Sequence, residues 1–469
     1  MNDSLFERLG RAPGEIAVLG LGKSGLAVAT LLRREGHAVY ASDAGTSASA
    51  TANAERLRAI GVDAVAGVHD LARIARSAVV VASPGVPPTA LPLVMAAAQG
   101  LPVVGEMEIA LRAMPALQYV AITGTNGKTT TTALVGHMLR ALGHDAVDAG
   151  NIGTALADVA LRSPAPPWAA LECSSFQLHD TPSINPTVGV VTNLSPDHLD
   201  RYDSLDAYYL DKARLFTNAS ARSKWVLNGD DDAVLQLYAR LGGSEAALPG
   251  RTFTFRIGVP ADAWYDPQSH ALNLLGAPLL PRDELALVGD HNIANALAAT
   301  LAVSVASDAH RTVEARTVLA DALRSFHALP HRLEPVPTSD GRLWLNDSKA
   351  TNVSSTLVAV QGMTRPFVLL LGGRHKGEPY TALAAPFARL GKTVLAYGES
   401  ADAIVHDLAS LVHVEKVDGP FADLIARARA DTIAGDAVLL SPACSSYDMF
   451  RNYEERGDAF RRLAQGATA

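Results

Sequence analysis

The stretch Ile122-Thr-Gly-Thr-Asn-Gly-Lys-Thr-Thr-Thr131 joins a predicted strand to a predicted helix through two glycines, a lysine and a run of hydroxyls. Residues 118–123 are apolar and β-branched, which favours a strand. Residues 132–142 carry apolar side chains at helical spacing. A strand that enters a helix through such a loop directs backbone N–H groups and the positive end of the helix dipole at one point. The stretch therefore predicts an anion-binding loop.

The loop is shorter than the usual phosphate loop, because Ile122 stands where that pattern has its first glycine. It opens at Gly124 instead and runs to Thr129. Lys128 is expected to reach the β- and γ-phosphates of ATP, and the Thr129 hydroxyl is expected to hold Mg²⁺. The loop thus predicts an ATP-binding protein.

Length and composition limit the classes of protein to which the chain belongs. A chain of 469 residues is too long for one core, so two to four domains are expected. A net charge of −8 argues against a nucleic-acid-binding surface. No apolar stretch has the length of a membrane span, and the N-terminus lacks the pattern of a signal peptide. With only Cys173 and Cys444, no disulfide framework is possible. We expect a cytoplasmic protein without membrane insertion.

Strands alternate with helical stretches along three successive segments, which predicts an α/β protein of three domains. The first, 1–106, and the third, 329–469, are predicted to be Rossmann-like. The second, 107–328, is predicted to be a phosphate-loop ATPase domain with a mostly parallel sheet. The strands predicted outside the loop region are 15–20, 37–42, 77–82, 187–192, 343–346, 367–371, 393–397 and 437–440.

A second glycine cluster, Gly20-Leu-Gly-Lys-Ser-Gly25, lies between a predicted strand and helix, and Asp43 follows about twenty residues later. This pattern fits the dinucleotide fingerprint and by itself favours a nicotinamide enzyme. Physically it is a nest for a pyrophosphate, so a nucleotide-diphosphate substrate satisfies it equally well. The ATP loop in the same chain favours the second interpretation. The third interpretation is a glycine turn that is needed only for close packing.

Two side chains near the loop are candidate metal ligands. Glu172 follows the apolar stretch 168–171, where a strand end beside a phosphate loop is well placed to hold Mg²⁺. His198 stands among carboxylates in a loop after a predicted strand. Cys173 is interpreted as a small buried residue rather than a nucleophile. From its surroundings in sequence, Lys212 is an ordinary helix lysine.

Five further polar stretches adjoin predicted strands or open a helix, where α/β sheets bind their ligands. They mix amides, hydroxyls, lysines and an acid, as a site that joins ATP to an anionic substrate requires. Together they favour a binding site over five separate solvated loops. They are 289–295, 330–332, 346–352, 372–376 and 441–446.

These motifs, in this order and over essentially the whole chain, resemble the Mur ligases, the ATP-dependent amide-forming enzymes of peptidoglycan precursor synthesis. Stretches 346–352 and 441–446 resemble the member that adds D-glutamate to UDP-N-acetylmuramoyl-L-alanine. The Asp-Asn-Pro-Arg mark of the diamino-acid-adding relative is missing from the sequence. Folylpolyglutamate synthases share the phosphate loop but lack a glycine-cluster domain ahead of it. The resemblance implies an acyl-phosphate mechanism, ATP and Mg²⁺ as cofactors, and a monomer.

The resemblance also implies roles for individual residues. Lys128, His198 and Lys212 are the expected catalytic residues, and Lys212 matches the lysine that the family carbamylates. The expected metal ligands are Thr129, Glu172, His198 and Lys212. The expected ATP site comprises Gly124, Thr125, Asn126, Gly127, Lys128, Thr129, Thr130, Asn292, Arg332 and Asp347. The nucleotide substrate is expected at Ser24, Asp43, Gly85 and Asn151, and the glutamate at Lys349, Thr351, Lys376, Ser446 and Tyr453.

Four positions depart from the family pattern. Ala44 and Gly45 stand where relatives often carry Thr and Arg, which affects the uracil contacts. Tyr453 replaces a common phenylalanine, and His375 lies beside Lys376, which affects amino-acid selectivity. Three other functions stay open: a sister ligase that adds another amino acid, a nicotinamide oxidoreductase, and a nucleotide-dependent switch.

Overall fold

The computed structural model describes residues 14–197, 201–242, 248–287, 289–327 and 329–466. Their strands form three separate sheets in chain order, with helices packed against each sheet. The predicted three-domain α/β fold is confirmed. Each sheet lies inside one of the three predicted segments, whose boundaries stay predictions. Within the described part of the chain, no helix is long and apolar enough to cross a membrane.

The first sheet has five parallel strands in the order β3-β2-β1-β4-β5. The strands are β1 (Ile16–Leu19), β2 (Val39–Asp43), β3 (Asp63–Ala66), β4 (Val79–Ala82) and β5 (Val103–Gly105), and the helices are Lys23–Arg34, Ala48–Ala59, Leu71–Arg76 and Leu91–Ala98. The chain order reverses between β1 and β4, which opens a crevice at their carboxyl ends. The glycine cluster and Asp43 lie at this edge. The strands β3 and β5 were not predicted, because they have only four and three residues, too few for a clear apolar pattern.

The second sheet has nine strands in the order β14-β13-β12-β11-β10-β9-β6-β8-β7. These are β6 (Gln118–Thr123), β7 (Ala146–Gly150), β8 (Trp168–Glu172), β9 (Val188–Val191), β10 (Lys224–Asn228), β11 (Arg251–Ile257), β12 (Ala263–Asp266), β13 (Ala271–Leu274) and β14 (Ala277–Pro281). The helices are Glu106–Ala113, Lys128–Ala141, Leu156–Ala160, Ser175–His179, Leu205–Ala213, Asp232–Gly242, Asp290–Ala306 and Val313–Ser325, with 3₁₀ turns at Arg214–Phe216, Arg282–Glu284 and Asp308–Arg311.

This sheet is parallel from β7 to β12, and only β13 and β14 pair antiparallel. The prediction of a mostly parallel sheet is therefore right. The antiparallel edge, residues 263–281, was not foreseen, because its strands are short and half-exposed. Ile122 is fully buried in β6, in the middle of the sheet. The phosphate loop is short because Ile122, which stands at the position of the usual first glycine, is a core residue of β6.

The third sheet has six strands in the order β15-β16-β20-β17-β18-β19, and only the edge strand β15 is antiparallel. They are β15 (Glu334–Val336), β16 (Leu343–Asn346), β17 (Phe367–Gly372), β18 (Gly391–Tyr397), β19 (Val414–Lys416) and β20 (Ala437–Leu440). The helices are Val353–Gln361, Ala384–Phe387, Ala401–Leu408, Phe421–Ala430 and Tyr453–Ala464, with a 3₁₀ turn at Thr381–Leu383. Because β16, β20 and β17 are neighbours, the three polar loops that follow them meet at one edge.

Glu106 is buried where the first segment passes into the second. It begins helix Glu106–Ala113, and its Oε1 accepts a hydrogen bond from the backbone N–H of Ala157. Burial raises the pKa of this carboxyl to about 7, although the Ala157 hydrogen bond opposes the shift. The folded chain therefore holds a proton on Glu106 at a pH where the unfolded chain has lost it.

We predict that Glu106→Gln makes the free energy of unfolding less dependent on pH. The raised pKa of Glu106 contributes stability that is complete below about pH 4 and is lost as the pH rises through about 7. The wild type should therefore lose stability relative to Glu106→Gln over this range, as measured by urea unfolding at several pH values. Glu55→Gln, at an exposed position, is the control. Parallel pH profiles for the wild type and Glu106→Gln would contradict the prediction.

Candidate active site

Two glycines shape the phosphate loop between β6 and helix Lys128–Ala141. Gly127 begins the helix in the left-handed region with φ 82°, and a Cβ there would lie 2.3 Å from Asn295 Oδ1. Gly124 has φ 141°, and its Cβ would lie 2.1 Å from Thr192 Oγ1. Any other residue meets both backbone strain and a collision. The loop is therefore built to bring backbone close to a ligand.

The segment after β9 holds the loop in place through the Asn126 main chain. The Asn126 N–H donates to Asn193 Oδ1 at 2.9 Å. Its carbonyl accepts from Thr192 Oγ1 at 2.6 Å and from Asn193 Nδ2 at 2.9 Å. These contacts fix the loop without using the N–H groups at the start of the helix, which stay directed at the anion site.

Lys128 folds back over the loop. Its Nζ donates to the carbonyl oxygens of Gly124 at 2.9 Å and Thr125 at 2.7 Å. Burial lowers the pKa of Lys128, whereas the carboxylates of Glu172 and Asp197 raise it. A cation so placed is suited to neutralising the phosphates of a nucleotide.

Glu172 ends β8 beside the loop and is only 2% exposed. Its Oε1 accepts from Asn151 Nδ2 at 2.8 Å, whereas its Oε2 is buried with no hydrogen-bond partner in the described structure. A carboxylate oxygen buried in this way is unfavourable unless a cation binds it. Glu172 therefore fits a Mg²⁺ ligand. The described residues contain no cluster of three His, Cys, Asp or Glu side chains around it.

His198, the other metal candidate, lies outside the described residues. Its neighbour Asp197 is buried, and the Asp197 Oδ2 accepts from Asn352 Nδ2 of the third domain at 3.0 Å. Cys173 is fully buried, and burial raises the pKa of its thiol to about 12. The interpretation of Cys173 as a small buried residue is confirmed.

Lys212 is buried, so the view of it as an ordinary solvated helix lysine is wrong. It is 2% exposed, and its Nζ donates to the Gly124 carbonyl at 2.7 Å. The Nζ also lies 4.5 Å from the centroid of the Tyr208 ring. Burial, with the nearby charge of Lys128, lowers the pKa of Lys212 well below its ordinary value. This environment favours a neutral amine.

The third domain reaches the loop through Arg332, whose Nη2 donates to Thr129 Oγ1. Behind it, Asp347 accepts from Ser441 Oγ at 2.8 Å and from the Leu333 N–H at 3.2 Å. Burial raises the pKa of Asp347 to about 7, although Ser441 and Arg332 oppose the shift. Arg332 thus lies between an acid of its own domain and the predicted metal-binding hydroxyl.

Two cavities adjoin the loop, and a third shares Lys349, Thr351 and Lys376 with the second. The first, of about 390 Å³, combines an apolar wall with Asn126, Asn292, Arg332 and Asp347. Such a mixture suits a nucleoside. Its apolar wall includes Phe255, Leu287, Leu329, Leu333 and Leu357.

The second cavity, of about 300 Å³, joins the second and third domains and is also lined by Pro84 of the first. It brings together most of the predicted catalytic and metal-binding residues with part of the predicted glutamate site. These are Lys128, Thr129, Glu172, Lys212, Lys349, Thr351 and Lys376, and Asn151, predicted to contact the nucleotide substrate, also lines the cavity.

The third cavity, of about 850 Å³, lies at the edge of the third sheet. It is lined by Lys349, Thr351, Lys376, Ser446 and Tyr453, together with Arg201, Arg374 and His375. Lys349 Nζ lies 3.9 Å from the centroid of the Tyr453 ring, and Lys376 Nζ donates to Thr351 Oγ1 at 3.3 Å. Burial lowers the pKa of Lys349 to about 8, and the charge of Arg332 acts in the same direction. The described lining is cationic or neutral, which suits an anionic ligand.

Comparison with known families finds one match in each of the three segments. Residues 14–105 match the Mur ligase MurD-like N-terminal domain, residues 122–303 the Mur ligase middle domain, and residues 331–444 the Mur ligase glutamate ligase domain. The chain belongs to the Mur ligase family. It is 39% identical over 457 residues to the UDP-N-acetylmuramoylalanine–D-glutamate ligase of Myxococcus xanthus, covering 96% of this chain and 98% of the relative. The enzyme of the same name from Anaeromyxobacter dehalogenans is 40% identical over 467 residues, covering 96% and 97%.

Solved structures of Mur ligases share the fold of this chain. The UDP-N-acetylmuramate–alanine ligase of Thermotoga maritima has a TM-score of 0.57 at 19% identity, covering 95% of this chain and 98% of that one. A pseudomurein peptide ligase type C from Methanothermus fervidus has a TM-score of 0.58 at 19% identity, covering 91% and 96%. At such identities these matches concern the fold alone.

The first-domain residues predicted for this Mur ligase do not line the three cavities. Ser24, Asp43 and Gly85 lie at the carboxyl edge of the first sheet. Both Asp43 carboxylate oxygens accept backbone N–H groups at 2.7 Å, Oδ2 from Leu21 and Oδ1 from Gly45. Asp43 thus shapes the glycine turn in this structure. Of this edge, only Pro84 reaches the second cavity.

The sequence did not reveal two serines that contact the loop from the third domain. Asn126 Nδ2 donates to Ser354 Oγ at 2.9 Å, and Ser355 Oγ donates to Asn126 Oδ1 at 2.7 Å. These serines open helix Val353–Gln361, which Asn352 caps by accepting from the Ser355 N–H at 2.8 Å. Nothing in their sequence surroundings marks helix-opening serines as partners of a loop more than two hundred residues away.

We predict that Gly127→Ala weakens the binding of a non-hydrolysable Mg²⁺–ATP analogue at least about fivefold, because overpacking at such a site costs about 1–3 kcal/mol. The control is Gly143→Ala, since Gly143 also has a positive φ, 87°, but its Cβ would meet no atom within 4 Å. Isothermal titration calorimetry measures both affinities. Equal affinities in the two variants would show that the collision with Asn295 is irrelevant to the nucleotide.

Proposed function

We propose that this chain is a cytoplasmic ATP-dependent ligase that joins D-glutamate to UDP-N-acetylmuramoyl-L-alanine in peptidoglycan precursor synthesis. The observation that carries the proposal is the second cavity, where Lys128 and Glu172 of the second domain face Lys349 and Lys376 of the third. The lysines of this cavity suit a reaction between an acyl phosphate and the amine of an amino acid that carries carboxylates. The full-length similarity to D-glutamate ligases supports the choice of amino acid.

The reaction joins a carboxylate to an amine, so the carboxylate oxygen must first become a leaving group. In the proposed mechanism the L-alanine carboxylate attacks the γ-phosphate of ATP, giving an acyl phosphate and ADP. The glutamate amine then attacks the acyl carbon, loses a proton, and expels phosphate. The protein acts mainly by positioning the reactants and offsetting charge. Lys128 is the proposed cation for the γ-phosphate.

Mg²⁺ is the proposed cofactor beside ATP. Glu172, with its unpartnered Oε2, and the Thr129 hydroxyl are suited to hold it, and His198 is the further ligand proposed from the family resemblance. When bound, the ion supplies positive charge to the migrating phosphoryl group. Thr129 Oγ1 accepts a hydrogen bond from Arg332 and keeps a second lone pair that would be available to the ion.

Lys212 is the proposed site of carbamylation. Carbon dioxide reacts with a neutral amine, and the lowered pKa of Lys212 supports that form at neutral pH. Attack of the Nζ lone pair on carbon dioxide, with release of one proton, turns the amine into a carbamate. The product would be an anion beside Glu172 and Lys128, where it would offset the charge of the half-buried Lys128 and would supply an oxygen ligand for the metal ion.

The other substrate contacts follow from the placement of the predicted residues. Lys349 and Lys376 are proposed to bind the carboxylates of glutamate, with Thr351, Ser446 and Tyr453 completing that site. Asn151, whose amide donates to Glu172, is proposed to contact the muramoyl part. The carboxyl edge of the first sheet is proposed to hold uridine diphosphate at Ser24, Asp43 and Gly85. One chain supplies all of these residues, so we propose a monomer.

The test is phosphate release from Mg²⁺–ATP with UDP-N-acetylmuramoyl-L-alanine, compared among D-glutamate, L-glutamate, meso-diaminopimelate, L-lysine and no amino acid. We predict that release requires both substrates, favours D-glutamate, and is abolished by Lys128→Ala. Preference for another amino acid would favour a sister ligase. Release that ignores every amino acid would overturn the ligase proposal in favour of a nucleotide-dependent switch.

We predict that activity falls when carbon dioxide and bicarbonate are removed, and returns when bicarbonate is added. Lys212→Arg should be inactive at every bicarbonate concentration, because a guanidinium cannot form the carbamate. Lys224→Arg, at a lysine that donates to the Ala306 carbonyl, should respond like the wild type. ¹³C NMR with labelled bicarbonate should show a carbamate signal that Lys212→Arg lacks. Wild-type activity that is indifferent to carbon dioxide, together with no such signal, would count against carbamylation.

A further inference from the structure

Arg456 is a fully buried cation under the proposed glutamate site. It lies in helix Tyr453–Ala464, is 0% exposed, and is one of the largest fully buried side chains of the described structure. Among the described residues it forms no ion pair with a carboxylate, and its side chain donates to a hydroxyl and to backbone carbonyls. Burying a charge without an ion-pair partner is unfavourable. An arginine in such a position is expected to have a role that a neutral residue cannot fill.

The acceptors of Arg456 lie on the three loops that follow β16, β17 and β20. Nε donates to Ser348 Oγ at 3.0 Å, and Nη2 donates to the Ser348 carbonyl at 2.8 Å. Nη2 also donates to the Cys444 carbonyl at 3.1 Å, and Nη1 makes a longer contact of 3.5 Å to the Gly372 carbonyl. One planar guanidinium therefore joins three loops that are otherwise separate in sequence.

Each of these loops carries a residue of the proposed glutamate site. Ser348 precedes Lys349, Gly372 opens the loop that holds Lys376, and Cys444 lies two residues before Ser446. The Ser348 hydroxyl also donates to the Tyr453 carbonyl at 2.8 Å. The first turn of the helix thus positions Lys349 in two ways. Arg456 donates to the preceding residue, Ser348, and the Tyr453 ring contacts the Lys349 Nζ.

We propose that Arg456 is a positioning residue for the amino-acid substrate. Its guanidinium fixes the three loops relative to one another, so that Lys349, Lys376 and Ser446 meet the incoming amino acid together. Its charge adds to the positive field of a cavity whose described lining has no acid. This inference rests on the proposed function, since it concerns the same amino-acid site.

The test compares Arg456→Lys with Arg461→Lys in steady-state kinetics of the full chain. Lysine keeps the charge but cannot bridge three loops, so the KM for D-glutamate should rise at least about tenfold. The KM for ATP should change little, whereas the thermal midpoint should fall, because a buried lysine leaves some of the acceptors of Arg456 unpaired. Arg461, on the same helix, is ion-paired to Glu334 and Asp458, and its replacement should leave every constant near the wild-type value.

A second variant keeps the inference testable if Arg456→Lys does not fold. Ser348→Ala leaves Arg456 in place and removes one of its acceptors, so the KM for D-glutamate should rise about threefold. An unchanged KM for D-glutamate in both variants would overturn the inference. So would a loss of thermal stability with equal rises in all KM values, which indicates a general structural role.

Failure of the proposed function gives a different result. If the wild type prefers another amino acid, the choice of D-glutamate is wrong, and the Arg456→Lys kinetics are measured with the preferred one. The positioning role then predicts the same selective rise in that KM, and its absence overturns the inference.

Discussion

The polar contact between the phosphate loop and the third domain is the interaction on which the rest of the site depends. Arg332 reaches Thr129, and the serines that open helix Val353–Gln361 hold both ends of the Asn126 amide. In the proposed reaction the nucleotide at the loop and the amino acid at the third domain must meet. The loop and the third domain therefore have to line the same cavity. These contacts bring Lys128 and Glu172 into the same cavity as Lys349 and Lys376. Because the loop makes these contacts through a side chain and the start of its helix, nucleotide binding and domain closure are expected to affect each other.

Buried and half-buried cations dominate the electrostatics of the site, although the chain as a whole is acidic. Lys128, Lys212, Arg332 and Lys349 all have a pKa lowered chiefly by burial. Their charges are poorly compensated by the protein, and the proposed ligands are all anions. A site of this kind favours ligand binding at the expense of stability, since each phosphate or carboxylate that binds removes part of the unfavourable burial. The proposed carbamylation of Lys212 would have the same effect with a covalent anion.

The sequence predicted the parts of this protein that depend on local pattern. Strands β6, β16 and β20 begin and end where the apolar pattern places them, because buried parallel strands consist of continuous apolar residues. The sequence did not predict the short edge strands, whose half-exposed residues carry little pattern. At the site, the motifs identified the loop, Glu172 and the third-domain lysines. The burial of Lys212 and the contacts of Ser354, Ser355 and Arg456 arise only when distant segments meet, and no local pattern encodes such a meeting.

The central claim is that one cavity activates a carboxylate with ATP and then presents it to an amine. The most direct measurement uses UDP-N-acetylmuramoyl-L-alanine with ¹⁸O in the alanine carboxylate, followed by mass spectrometry of the products. An acyl phosphate predicts that one ¹⁸O atom appears in the released phosphate and that the peptide product keeps the other. Phosphate without label would contradict the account, because the carboxylate would then never have been bonded to the γ-phosphorus.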